Sequence, residues 1–273
     1  MNMKIEKLGF IGSGNMATAL VKGLIKSGLY HSDQLMASDK DEEQLRKISE
    51  QFGLKVYASN KDLVGECQNV VLAVKPQSIR EVLEGVKGEI KDVNLIISIA
   101  AGIPLKMIQS ILDREIPLIR VMPNTPALIQ KGVSALASGQ HATTEHMDIA
   151  KTIFEAVGKT VIVPEEMMDA VTALSGSGPG YVFKVMECLV DAGERLGLDK
   201  ETSLILVMET VLGAAHLASE SEKSLSQLRE MVTSPGGTTA AALAVFKEKG
   251  LESIIHEAVK AACLRGAELG KNY

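Results

Sequence analysis

The chain has no tryptophan and only nine aromatic residues, four Tyr and five Phe, among 273. A core built on large rings is therefore excluded. Val, Ile, Leu, Ala and Met must fill it, and a hydrophobic content of 46% supplies enough of them. A cysteine framework is also missing. Cys67, Cys188 and Cys263 are odd in number, far apart and form no C-x-x-C pair. That argues against a disulfide scaffold or a zinc site and fits a reducing compartment. Positive charge is scarce, with 29 Lys and Arg against 34 Asp and Glu, a net charge of −5. No basic cluster or basic–aromatic interleaving appears, so nucleic acid is not expected as a partner. An anionic ligand must be held by local dipoles and a few cations. No basic segment leads into an apolar run at the N-terminus, and no stretch is read as reaching transmembrane length without polar interruption. The expected location is the cytoplasm, with no membrane contact. His141 and His146 lie in a polar stretch, while His216 and His256 are isolated on predicted helices. No metal site is expected from them.

What is present divides into two halves. Residues 1–164 alternate strand and helix. The runs Leu8–Ile11, Leu35–Ser38, Lys55–Tyr57, Val70–Val74, Leu95–Ile99 and Leu118–Met122 read as strands. Most are wholly apolar rather than alternating, which marks strands covered on both faces and hence a parallel sheet between helix layers. Met16, Leu20, Leu24 and Ile25 share one face of a helix, and 41–53 reads as a polar-faced helix. Val133–Ala137 and Thr160–Val163 flank a helix at about 143–156 and extend the strand series. From 165 to 273 no strand is expected. Residues 178–196 and 202–219 carry helical patterns, and the second is apolar all round (Leu204, Ile205, Leu206, Val207, Met208, Val211, Leu212, Leu217). Such a helix must be buried on every side. A segment of this size cannot cover it alone, so a homodimer through the C-terminal domain is expected.

Gly12-Ser13-Gly14-Asn15-Met16-Ala17 matches G-x-G-x-x-A between a predicted strand and a predicted helix. In a dinucleotide site Gly12 would make the tight turn. Gly14 would admit the pyrophosphate to the backbone, and Ala17 would let helix and strand pack closely. Asp39 follows the second strand, where a carboxylate accepts from a ribose 2′-OH and favours NAD. Should Asp39 instead turn outward, Ser38 and Lys40 flank it and suit a 2′-phosphate; both readings stand. Val74-Lys75-Pro76 and Ala100-Ala101-Gly102 close later strands on the carboxyl edge of the sheet, where ligands bind in open α/β folds. Lys75 reaches the cofactor or packs its loop. The small Ala100-Ala101 pair admits a flat ring or simply ends its strand.

The stretch Val232–Ala240 carries two glycines and a proline among four hydroxyl side chains, directly before an apolar helical pattern. Ser234 or a neighbour is placed to cap that helix, and Gly236 and Gly237 let several N–H groups face one way. This is either an ordinary capped helix start or a seat for a small carboxylate.

Taken together these pieces resemble the pyrroline-5-carboxylate reductase family over nearly the whole chain. The shared segments are F-I-G-S-G-N-M at 10–16, L-A-V-K-P at 72–76, I-A-A-G at 99–102, R-V-M-P-N-T-P at 120–126, L-S-G-S-G-P-G-Y at 174–181 and V-T-S-P-G-G-T-T at 232–239. Gly180 departs from the family's usual Ala, and the position of Asp39 varies with cofactor preference. The resemblance implies an α/β Rossmann-type N-terminal domain (1–164) plus an all-α C-terminal dimerisation domain (165–273). It implies reduction of (S)-1-pyrroline-5-carboxylate to L-proline with NADPH, or alternatively NADH, and in some members a larger ring of dimers. By position, Ile11, Gly12, Ser13, Gly14, Asn15 and Met16 would bind the pyrophosphate and Asn60 the adenosine end. Ala73, Val74, Lys75, Pro76, Ile99, Ala100 and Ala101 would line the nicotinamide side. Ser234, Thr238 and Thr239 would meet the imino-acid substrate, with Gly236 and Gly237 in the same turn. Thr239 is the candidate to contact the imine nitrogen.

Two other functions compete. A β-hydroxyacid dehydrogenase would need a catalytic lysine on a C-terminal helix, and Lys184 is the nearest candidate; its plain reading is a solvated helix residue. A non-catalytic dinucleotide-binding redox sensor would lack turnover, and the intact turn at 234–239 argues against it.

Overall fold

The computed structural model describes residues 6–271. Its contacts cluster into two compact units, divided after Ser177 and again after Ala261.

The first unit is built on one eight-stranded sheet. Its strands are β1 (Leu8–Ile11), β2 (Leu35–Ser38), β3 (Lys55–Tyr57), β4 (Asn69–Leu72), β5 (Leu95–Ser98), β6 (Leu118–Met122), β7 (Gly132–Ser138) and β8 (Gly158–Ile162). They lie in the order β3-β2-β1-β4-β5-β6-β7-β8. β1 to β6 are mutually parallel, in the arrangement of a dinucleotide-binding sheet. The expected parallel sheet is therefore present, with one difference: β7 runs antiparallel to β6. Only a short helical turn at Thr125–Ile129 separates them, too little chain for a crossover. A full helix intervenes before β8, which is again parallel to β7.

The helices are α1 (Asn15–Lys26), α2 (Glu42–Phe52), α3 (Asn60–Val64), α4 (Ile79–Val86), α5 (Leu105–Leu112), α6 (Thr144–Glu155) and the short α7 (Met168–Val171). Side chains alternate across the strands, so the sheet feeds two cores. Phe10, Val71, Ile97 and Ile119 pack with Leu20 and Leu24 of α1, Leu45 and Ile48 of α2, and Ile153 and Phe154 of α6. Ile11, Val70, Leu72 and Ile96 pack with Leu63 of α3, Leu83 of α4 and Ile108 of α5. α4 and α5 were not delimited from the sequence, although Ile79, Leu83 and Val86, then Leu105, Ile108 and Leu112, carry the helical spacing and are buried. Cys67 lies in the second core, and burial pushes its thiol up to about 12, which leaves it an unreactive apolar side chain.

The second unit is helical. It holds α8 (Gly178–Arg195), α9 (Lys200–Glu220), α10 (Leu225–Met231), α11 (Thr238–Glu248) and the first part of α12 (Leu251–Lys271). Among the described residues no strand follows β8. Ser203 is the one buried residue of α9. Leu204, Ile205, Leu206, Met208, Leu212 and Leu217 are all exposed within the single chain. By length and composition α9 is apolar enough to cross a membrane, although Glu209 and His216 interrupt its run, in keeping with the sequence reading. The same property is what a protein partner would cover.

With so few aromatics, Phe154 is one of the largest fully buried side chains. Phe154→Ala is expected to lower unfolding free energy by about 3–5 kcal/mol, read from urea denaturation, and Phe154→Leu by clearly less.

Candidate active site

β1 ends at Ile11 and the chain turns at once into α1. Gly12 adopts φ +100, and a Cβ there would stand 2.7 Å from the Ala73 carbonyl oxygen. Two hydrogen bonds lock the turn between the neighbouring strands: Gly12 N–H donates to Ser38 O (2.7 Å) and Ala73 N–H to Ile11 O (2.8 Å). This is the point where strand order reverses, between β1 and β4. Gly14 caps α1 in an extended conformation, with no side-chain hydrogen bond. No other atom lies within 4 Å of where its Cβ would be, so the protein's own packing does not require glycine here. The first helical bond runs from Thr18 N–H to Gly14 O. The amides of Asn15, Met16 and Ala17 are left without acceptors among the described residues, beside an open backbone face. Such a helix start suits a pyrophosphate.

Around this turn the expected residues take distinct positions. The Asp39 carboxylate faces inward: Oδ2 accepts from Ser13 N–H (2.8 Å) and Ser13 Oγ–H (2.9 Å), and Oδ1 accepts from Asp41 N–H (3.1 Å). Ser38 is fully buried, and its hydroxyl donates to Asn60 Oδ1 (2.7 Å). Lys40 is exposed. β4 stops at Leu72, earlier than expected, although Ala73 N–H still bonds Ile11 O and the Ala73 carbonyl lies against Gly12. Lys75 is exposed at the start of a helical turn over Pro76–Ser78. Ile99 N–H still bonds Leu72 O (3.1 Å), Ala100 is buried and Ala101 is exposed. These loops thus share the carboxyl edge of the sheet with the glycine turn.

In the second unit, α10 ends at Met231 and α11 begins at Thr238. Gly236 sits at φ +70. Ser234 does not cap the helix through its hydroxyl. Gly237 is the cap residue and carries no side-chain cap, while its N–H donates to Ser234 O (3.0 Å). The first helical bond is Ala241 N–H to Gly237 O. The amides of Thr238, Thr239 and Ala240 and the hydroxyls of Ser234, Thr238 and Thr239 have no hydrogen-bond partner among the described residues. A turn with this many uncommitted donors can grip a carboxylate.

A polar cluster centred on β6, which the sequence did not reveal, lies in the first unit. Arg120 is 6% exposed. Its Nη1 lies 3.5 Å from Glu165 Oε1 and its Nη2 3.9 Å from Asp169 Oδ1. Asn124, in the same segment, accepts from Val133 N–H (2.9 Å) and donates to Ser175 O (3.3 Å), where Thr172–Gly176 forms a π-helical turn. A charged residue inside an otherwise apolar strand was the available signal. Lys184 is exposed and bonded to Glu187 Oε2 at 2.9 Å, which raises its pKa; a poised catalytic amine would need the opposite shift. Among the described residues, no group of three or more His, Cys, Asp and Glu is arranged to hold a metal ion.

Residues 165–269 match the family model described as pyrroline-5-carboxylate reductase dimerisation. Residues 7–102 match the model described as NADP oxidoreductase, coenzyme F420-dependent. Pyrroline-5-carboxylate reductase of Methanosarcina acetivorans is 42% identical over 269 residues, which cover 98% of this chain and 100% of the relative. The chain belongs to the pyrroline-5-carboxylate reductase family. A solved reductase structure from Coxiella burnetii superposes with a TM-score of 0.92 at 38% identity, covering 97% of this chain and 99% of that one. The Plasmodium falciparum pyrroline carboxylate reductase, solved with NADP bound, gives 0.88 at 31% identity, covering 98% of this chain and all of that one. The fold is accordingly the expected Rossmann-type α/β domain with a helical dimerisation domain, and the protein is an oxidoreductase. The dimerisation match spans α9, so its exposed apolar surface belongs to a homo-oligomer-forming segment.

Gly14→Val should leave folding nearly intact, within about 1 kcal/mol, since only the cap preference changes. It should weaken NADPH binding by about 100-fold, roughly 3 kcal/mol, measured by cofactor fluorescence titration. Unchanged affinity would show that the cofactor does not approach this backbone.

Proposed function

We propose that the protein reduces (S)-1-pyrroline-5-carboxylate to L-proline, the last step of proline biosynthesis, with NADPH as reductant and NADH as the alternative. The observation that carries this reading is the pair of open helix starts in a chain of this family. Amides at 15–17 suit a pyrophosphate, and amides at 238–240 suit a carboxylate. The cofactor, when bound, supplies the hydride. Ile11 to Met16 hold its pyrophosphate, and Asn60, itself held by Ser38, meets the adenosine end. Ser38, Asp39 and Lys40 border the ribose. The inward turn of Asp39 toward Ser13 is the arrangement that suits a free ribose 2′-OH, while the match to an NADP oxidoreductase family model supports NADPH. Ala73 to Pro76 and Ile99 to Ala101 line the nicotinamide side.

For the substrate, the turn Ser234–Thr239 grips the carboxylate, with Gly236 and Gly237 shaping it. Fixing that anion orients the imine carbon for attack, and orientation is the main catalytic contribution. The Thr239 hydroxyl, without a hydrogen-bond partner among the described residues, donates to the imine nitrogen or relays a proton to it from water. No histidine or carboxylate is assigned as general acid. We place the boundary between the cofactor domain (1–164) and the substrate-binding, dimerising domain (165–273) at Pro164. We further propose that the homodimer forms through the C-terminal domain, that dimers assemble into a larger ring, and that the enzyme works in the cytoplasm. Its unpaired cysteines are consistent with that compartment.

Steady-state kinetics with pyrroline-5-carboxylate and each reduced nicotinamide test the reading directly; no substrate-dependent oxidation of either would reject it. Thr239→Ala should lower kcat about 100-fold while NADPH affinity changes less than about 3-fold. Equal losses of both would remove Thr239 from the chemistry. Ile205→Glu on α9 should shift the protein toward monomer in analytical ultracentrifugation, because a carboxylate would replace an apolar contact at the proposed interface.

A further inference from the structure

We infer that Glu165 is a positioning residue for the loop Ile99–Pro104, and that Arg120 holds Glu165 in place to do it. The inference rests on the reading above that Ile99 to Ala101 line the nicotinamide side.

α5 starts at Leu105, and its cap residue, Pro104, supplies no side-chain cap. The cap comes instead from a residue remote in sequence. Leu105 N–H donates to Glu165 Oε1 at 2.7 Å. That bond fixes the far end of the loop that leaves β5. The near end is fixed by the sheet, through Ile99 N–H to Leu72 O (3.1 Å), and locally by Ala100 N–H to the Ser98 hydroxyl (3.4 Å). Between the two anchors, Gly102 closes against the end of α12: a Cβ on Gly270 would stand 2.7 Å from the Gly102 carbonyl oxygen. The loop is therefore clamped on three sides by groups distant from it in sequence.

Glu165 does not stand alone. Arg120 lies opposite Ser98 in the sheet register. Its guanidinium approaches the same Glu165 oxygen and, on its other side, Asp169. Taking an arginine out of water beside two carboxylates is costly, and well-packed apolar residues often stabilise a core more. The arrangement is accounted for if it secures geometry: hydride transfer is sensitive to displacements of about 1 Å, and a brace behind the loop limits such movement. Glu165 acts on the cofactor through the backbone of 99–104, so the effect should fall on turnover more than on affinity.

The test uses full-length protein. Hydrogen exchange is followed by mass spectrometry without cofactor, alongside kcat and the NADPH dissociation constant. In Glu165→Ala, peptides covering 99–106 should exchange at least about tenfold faster while peptides over β1 and β4 stay unchanged. kcat should fall about 10- to 100-fold with NADPH affinity within about 3-fold. Glu165→Gln keeps an oxygen for Leu105 and should recover most of the turnover. If Glu165→Ala does not fold, Glu165→Asp, whose carboxylate is withdrawn by one methylene, should give the same localised exchange and loss of kcat. Wild-type kcat in a folded variant would overturn the inference. So would exchange that rises equally across the whole first unit, or a loss confined to NADPH affinity. A wild-type protein inactive on pyrroline-5-carboxylate would reject the proposed reaction instead, and the exchange pattern would still decide whether Glu165 clamps the loop.

Discussion

Two helix starts in this chain, at Asn15 and at Thr238, leave backbone N–H groups without acceptors among the described residues. In a chain of net charge −5, these amides are the donors that the proposed function assigns to two anions, a pyrophosphate and a small carboxylate. The surroundings keep them uncommitted. Gly12 lets the turn close under the Ala73 carbonyl, and Gly14 and Gly237 cap without side chains that would consume the donors. A Ser, Asp or Asn in either cap would stabilise its helix and occupy the amides that the proposed ligands would need. Under the proposed function, local helix stability is given up for binding capacity.

Four other helices start with a side-chain cap of their own. α2 is capped by Asp41 and α9 by Asp199, each through its own side chain. α6 and α10 have reciprocal capping boxes at Thr143 and Ser224. α5 has no local cap and receives one from Glu165, sixty residues further along the chain. The uncapped starts of α1 and α11 follow the two glycine-rich motifs; the short α3, α4 and α7 also start without a side-chain cap.

The apolar helices of the C-terminal half follow a different constraint. Core-forming residues there are spread around the helices, so a single chain leaves much of their surface in water. α9 is apolar enough to pass as a membrane span by length and composition. Membership of a family with a dimerisation domain gives that surface a partner of the same kind. The scarcity of aromatics fits this picture too, since interlocking aliphatic helices need no large rings to fill their contacts.

The sequence by itself determined the strand runs, the glycine turn at 12–17 and the hydroxyl-rich turn at 232–240. Burial periodicity and turn chemistry are written in neighbours a few residues apart. The absence of strands after β8 among the described residues was legible for the same reason, as was the need for a partner over α9. Tertiary structure alone decided the antiparallel entry of β7, the inward aim of Asp39 onto Ser13, the pairing of Ser38 with Asn60, and the bracing of α5 by Glu165 and Arg120. Each of these joins residues that lie far apart along the chain or depends on where a side chain points once its neighbours are packed. No local pattern encodes such a pairing, because it exists only when the sheet has brought the two strand ends to one edge.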